Sequence, residues 1–165
     1  MLDLAVDASW SNDDTRELFD RAIDLQPTNY HFYRLYAHYL LPQWYGRAGD
    51  VQKLAEGAAD KNSEPLSSIL YFQVMGELAC YCQTMTEQLA PADWKKLKVG
   101  YASLTDTYGP SNYNANLYAA MAAVFRDKDA GREAFKGIAF RDTGAWTDEN
   151  SFNSARDWMN SPDTQ

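Results

Sequence analysis

The stretch that constrains this chain most runs from Phe19 to Trp44, where an apolar helical stripe meets a proline corner and then resumes with a different set of large residues. Phe19, Ala22 and Ile23 fall at i, i+3 and i+4, one face of a 3.6-residue period, and Leu25 continues it. Pro27 cannot extend that helix, because its ring clashes with the preceding turn and it has no N–H. Thr28 or Asn29 can then cap the next helix by accepting its free N–H groups. In that second helix Tyr33, Tyr36, Ala37 and Leu40 form the matching stripe, with Ala37 small enough for close approach, and Pro42 ends it. Two helices joined by a short turn make a helical hairpin.

Further along, the same grammar repeats. Ser11 is placed to cap the first helix, with Asp13 and Asp14 at its positive end. Asp50 opens a helix to Ala59 with stripe Val51, Leu54, Ala55 and Ala58. Pro65 suits the first turn of a helix running to Cys82 or Gln83 that is apolar or small almost all round, the signature of a central, covered helix. Thr84 to Ala90 reads as a turn, and Pro91 opens a helix to Tyr108 that faces Trp94, Leu97, Tyr101 and Leu104 inward. Gly109-Pro110-Ser111-Asn112 stops one helix and starts another, Tyr113 to Arg126. Ala130, Ala134, Phe135 and Ile138 mark a seventh helix, and Ser151 to Met159 an eighth that closes the array as a cap. Nothing alternates as a strand does. The expectation is an all-α, right-handed array of about eight antiparallel helices forming one domain over residues 1–165, with 1–11 a mixed lead-in anchored by Leu4, Val6 and Trp10.

Phe19, Ala22 and Pro27 sit at the spacing F-x2-A-x4-P, which resembles the second helix of a tetratricopeptide (TPR) repeat. Tyr33, Tyr36, Ala37 and Leu40 resemble the large–large–small–large pattern of the following repeat's first helix. Tyr101 and Phe135 lie 34 residues apart, the period of that repeat, whereas the earlier intervals are longer, so the hairpins read as degenerate ones with lengthened loops. The segment LLPQWYG resembles uncharacterised bacterial TPR-like domains carrying Leu-Pro-x-Trp-x-Gly after such a hairpin. The resemblance implies a scaffold that holds another protein in a groove. It turns His31, Arg34 and His38 toward the concave surface, together with Gln73, Glu77 and Asn116 from later helices. The lysine and asparagine set by which some TPR domains clamp a C-terminal carboxylate is not reproduced, since His38 stands where the asparagine would be.

Composition narrows the partner. A net charge of −8 repels phosphate backbones, which argues against nucleic acid and makes a basic protein or peptide the easier partner. Five Trp and eleven Tyr are many for 165 residues, and rings with a polar tip suit groove walls as well as cores. Trp44 and Tyr45 are candidate aromatic anchors, with Trp44 equally suited to bracing its loop. Cys80 and Cys82 point about 200° apart on a helix and cannot bond each other, which favours a reducing, cytoplasmic setting. No leader or apolar span suggests a membrane, although an upstream signal removed in processing fits the same chain.

Catalytic and metal chemistry find little purchase. His31 and His38 are seven residues apart on one helix, about 10 Å along its axis, too far to share a metal easily. The serines lack a histidine nearby in sequence, no phosphate-binding glycine loop occurs, and no residue set points to a cofactor. The expected function is a protein- or peptide-binding module. Its rival is a small acidic immunity- or inhibitor-type protein that neutralises a basic target through outer-surface carboxylates such as Asp13, Asp20 and Asp24.

Overall fold

Local chemistry at the helix starts sets the architecture. In the computed structural model, which describes residues 11–81, 87 and 89–162, the chain is all-α, and those residues include no strand. The helices are α1 (Asn12–Leu25), α2 (Tyr30–Tyr39), α3 (Asp50–Asp60), α4 (Leu66–Tyr81), α5 (Trp94–Tyr108), α6 (Asn112–Val124), α7 (Lys128–Lys136) and α8 (Glu149–Asn160). Ser11 accepts from the Asp14 N–H, Asn29 from that of His31 and Ser111 from that of Asn114. Asp93, Asp127 and Asp148 do the same for α5, α7 and α8. Each of these caps satisfies donors that the first turn leaves orphaned. No helix among the described residues is long and apolar enough to cross a membrane.

Helix α4 is the centre. Every residue from Ser68 to Ala79 is buried, and α2, α3, α5 and α6 all pack against it. α1 lies on α2, and α6, α7 and α8 pack on one another at the far end. Two glycines let α4 pack closely on α5 and α6. A Cβ on Gly100 of α5 would stand 2.3 Å from the Ser68 carbonyl oxygen, and one on Gly76 of α4 would stand 2.8 Å from Leu117 of α6. Stacked rings fill the remaining space in two ladders. One runs from Phe19 to Tyr36 (4.3 Å), on to Tyr39 (6.0 Å) and Tyr45 (4.6 Å). The other joins Phe125, Trp94, Tyr118 and Tyr101 at 4.9, 5.4 and 4.0 Å. Offset stacking of this kind adds about 0.5–1.5 kcal/mol per pair beyond area burial.

Several boundaries differ from the sequence reading. Leu25 does not continue the α1 stripe; it is 83% exposed. Six residues beyond Phe19 places it about 120° off that ring's azimuth. Gly49, at φ 90°, precedes α3, and the Asp50 carboxylate accepts from the Arg47 N–H instead of capping. α5 starts at Trp94, not at Pro91, because the Asp93 carboxylate receives the N–H groups of both Lys95 and Lys96. Glu87 and Leu89 are helical where a turn is expected. The lead-in anchors Leu4, Val6 and Trp10, the α4 end at Cys82 or Gln83, and Thr84 to Thr86 lie outside the described residues, as do the side chains of Cys80 and Tyr81.

Candidate functional site

Arg34 and His38 stand one turn apart on α2, each about 100° round the helix from Tyr33 and Ala37 respectively, and both reach one carboxylate on α4. Arg34 Nε donates to Glu77 Oε1 at 2.7 Å, and His38 Nδ1 lies 3.8 Å from Glu77 Oε2. Arg34 Nη2 also donates to the Tyr113 hydroxyl on α6 at 3.2 Å, and its Cζ is 5.3 Å from the Tyr113 ring centroid. Glu77 is nearly sealed, with its side chain 5% exposed, against 29% for Arg34 and 25% for His38. A carboxylate buried to that degree needs a charged, hydrogen-bonded partner, and α2 supplies it. Gln73, one turn back on α4, donates to Asn114 Oδ1 on α6 at 3.4 Å. Three helices therefore meet at a polar seam with a partly open rim on the α2 side.

Beside that rim the loop after α2 is locked. Trp44 N–H bonds to Leu41 O (2.9 Å), Tyr45 N–H to Tyr39 O (3.3 Å) and Gly46 N–H to Leu41 O (3.3 Å). A Cβ on residue 46 would sit 1.8 Å from Leu40 O, so only glycine fits. This is the physical content of the Leu-Pro-x-Trp-x-Gly segment. The loop holds the Trp44 ring 5.9 Å from the His38 ring with 53% of the residue exposed, and lays Tyr45 on Tyr39.

Of the residues expected to line a groove, Arg34, His38, Glu77 and Trp44 come together. His31 is exposed one turn before Arg34 on α2, and Tyr45, 37% exposed, ends the first ring ladder. Gln73 and Glu77 do not face an open groove: α4 has no uncovered face along this stretch, and both are buried. Asn116 is also buried, and its place is elsewhere. Its Oδ1 accepts from Trp146 Nε1 and the Asp142 N–H, each at 3.1 Å. Its Nδ2 donates to Asn112 O at 2.8 Å and Phe140 O at 3.1 Å. Two donors and two lone pairs are all used, so Asn116 binds its own chain and nothing more. Sequence reasoning missed Tyr113 and Asn114 at the seam; their one signal is their place in the first turn after the Gly-Pro-Ser-Asn start.

Titration is perturbed beside Trp94, whose ring stacks on Tyr118 and whose indole donates to Asp127. Burial pushes the Tyr118 hydroxyl up to about 12, helped by Asp127 and Tyr101. Burial works to raise Asp127, but hydrogen bonds from the Ala130 N–H, the Trp94 indole and Lys98 outweigh it and hold the carboxyl below its usual value. Among the described residues no group of three His, Cys, Asp or Glu is placed to hold a metal ion. Set beside known proteins, the chain matches no family model, no curated sequence and no solved structure.

Proposed function

We propose that this chain is a protein- or peptide-binding scaffold, working in the cytoplasm, whose contact surface is the rim formed by His31, Arg34, His38 and Trp44. The observation that carries the reading is the locked presentation of Trp44. A half-exposed indole on a loop fixed by three main-chain hydrogen bonds loses little entropy on binding, which suits a hot spot. Next to it, two α2 side chains are oriented by one buried carboxylate, so their donor directions are set before a partner arrives. A bound segment would lay an apolar or cationic group against Trp44 and accept hydrogen bonds from the α2 side chains. The degenerate TPR-like reading is part of the same proposal, supported by the Pro27 corner and by Phe19 packing edge-on to Tyr33 at 5.4 Å and flat on Tyr36.

Immobilised protein should retain a polypeptide from its source cell at moderate salt, and Trp44→Ala combined with His31→Ala should release it. A second reading has its own observation: α1 exposes Asp13, Asp14, Glu17 and Asp24. An acidic inhibitor acting through those carboxylates would lose its partner on Asp13→Asn with Asp24→Asn or on raising salt, and would keep it through the Trp44 change.

A further inference from the structure

The chain carries a net charge of −8, yet the cleft between α7, the 137–148 loop and α8 has the opposite character. About 620 Å³ in volume, it is lined by four cations, Arg132, Lys136, Arg141 and Arg156, and no carboxylate lies among the described residues that line it. Two of the cations are built in. Arg132 Nε donates to Met159 O at 2.7 Å at the end of α8 while its Nη1 pairs with Asp129 at 2.8 Å, and Arg141 Nη1 donates to Trp146 O at 3.2 Å. The other two stand at the mouth. Lys136 pairs with Glu133 and Arg156 with Asp157, and all four side chains are at least 46% exposed. Such water-exposed pairs are weak and exchange partners readily.

Between these charges the floor is apolar. Phe152 packs 5.4 Å from Phe135 and 5.6 Å from Trp146, and Phe140 stands at the edge with 65% of its surface exposed. An aromatic ring so exposed is commonly on a loose backbone; this one is not. The Phe140 N–H donates to Asn112 Oδ1 at 3.3 Å, and its carbonyl accepts from Asn112 Nδ2 and Asn116 Nδ2, both at 3.1 Å. The ring is therefore held out to solvent from a clamped main chain.

We propose that this cleft docks an acidic peptide segment of a partner protein, one that carries an apolar side chain among its carboxylates. The carboxylates replace Glu133 and Asp157 on Lys136 and Arg156, and the apolar side chain enters against Phe140 and Phe152. Charge complementarity selects the sign, and the ring floor selects a peptide over a bare anion. Asp129, Glu133 and Asp157, each at least 69% exposed, pair with Arg132, Lys136 and Arg156, so an incoming carboxylate exchanges with a water-exposed partner instead of meeting a bare cation. Charges farther away are screened over about 8 Å at physiological salt, so the acidic remainder of the chain does not cancel the local field.

The test uses the full chain and a short fluorescein-labelled peptide of Glu and Gly with one central Leu, read by anisotropy. Lys136→Glu with Arg156→Glu should weaken binding by about tenfold or more, Phe140→Ala by several-fold, and Val99→Ala, on the exposed side of α5, not at all. Lys136→Gln with Arg156→Gln gives an intermediate loss and guards against misfolding of the reversal. The proposal is overturned by any of four results. These are no binding, equal binding of the peptide lacking Leu, indifference to the cleft substitutions, or capture of phosphatidylserine vesicles in preference to the peptide. Self-association of the wild type in sedimentation that Phe140→Ala abolishes would likewise replace it, with a second copy as the occupant.

Discussion

Glu77 on α4 and Asn116 on α6 look alike in the sequence, each a polar residue inside an apolar helical run, yet they serve opposite ends. Asn116 spends every hydrogen bond on the 139–146 loop and on its own helix, closing that region to outside partners. Glu77 is held by two α2 side chains that are themselves a quarter or more exposed. Burial of a polar group alone does not mark a site. What matters is whether its partners are main chain and a buried ring, which cannot leave, or partly exposed side chains at a rim.

That contrast can be broken by experiment, starting where the effect is largest. Asn116→Ala leaves the buried Trp146 indole and the Asp142 N–H without their acceptor, and should cost about 3–5 kcal/mol in denaturant unfolding. A loss below about 1 kcal/mol would show that water replaces it and that the loop is not closed. Gly46→Ala forces a methyl onto Leu40 O and should cost about 2–3 kcal/mol while freeing Trp44, seen as a red-shifted, more quenchable indole emission. Arg34→Ala strands the buried Glu77 carboxylate; with Arg34 partly exposed, the cost should be about 2 kcal/mol, below that of a fully buried pair. Adding Glu77→Gln should restore part of it. Additive losses in that cycle would mean that the pair does not hold the seam.

The smallest effects are expected from pH. Folding raises the Tyr118 pKa from 10.0 to about 12 through burial, so its contribution is intact below pH 10 and lost as pH climbs toward 12. Tyr33, Tyr36, Tyr71 and Tyr101 are raised as well, again first by burial, so alkaline unfolding should be cooperative, and Tyr118→Phe should move its onset upward. Asp127 runs the other way. Its folded pKa lies below the unfolded value, so its contribution is present at neutral pH and fades as acid protonates it.

How much of this was legible follows from distance along the chain. The Pro27 hairpin, the Ser11, Asn29 and Ser111 caps and the central place of α4 depend on residues within a turn or two of each other, and the sequence displays them. The start of α5 was misread because two start signals compete. Pro91 merely tolerates a helix start, whereas Asp93 satisfies two N–H groups and wins. The Asn116–Trp146 bond spans 30 residues and the Arg34–Glu77 pair 43, and no local pattern announces either. The cationic cleft was hidden for the same reason. Arg132, Lys136, Arg141 and Arg156 are scattered over two helices and a loop of an acidic chain, and only the fold collects them.

Burial of α4 on all sides has a further consequence for how the molecule comes apart. Helices before and after it in the chain lean on one shared surface, and the helices before it have little packing apart from it. A fragment ending near Asn62 should stay unstructured in isolation, and the intact chain should melt in a single step reported identically by far-UV dichroism and tryptophan fluorescence.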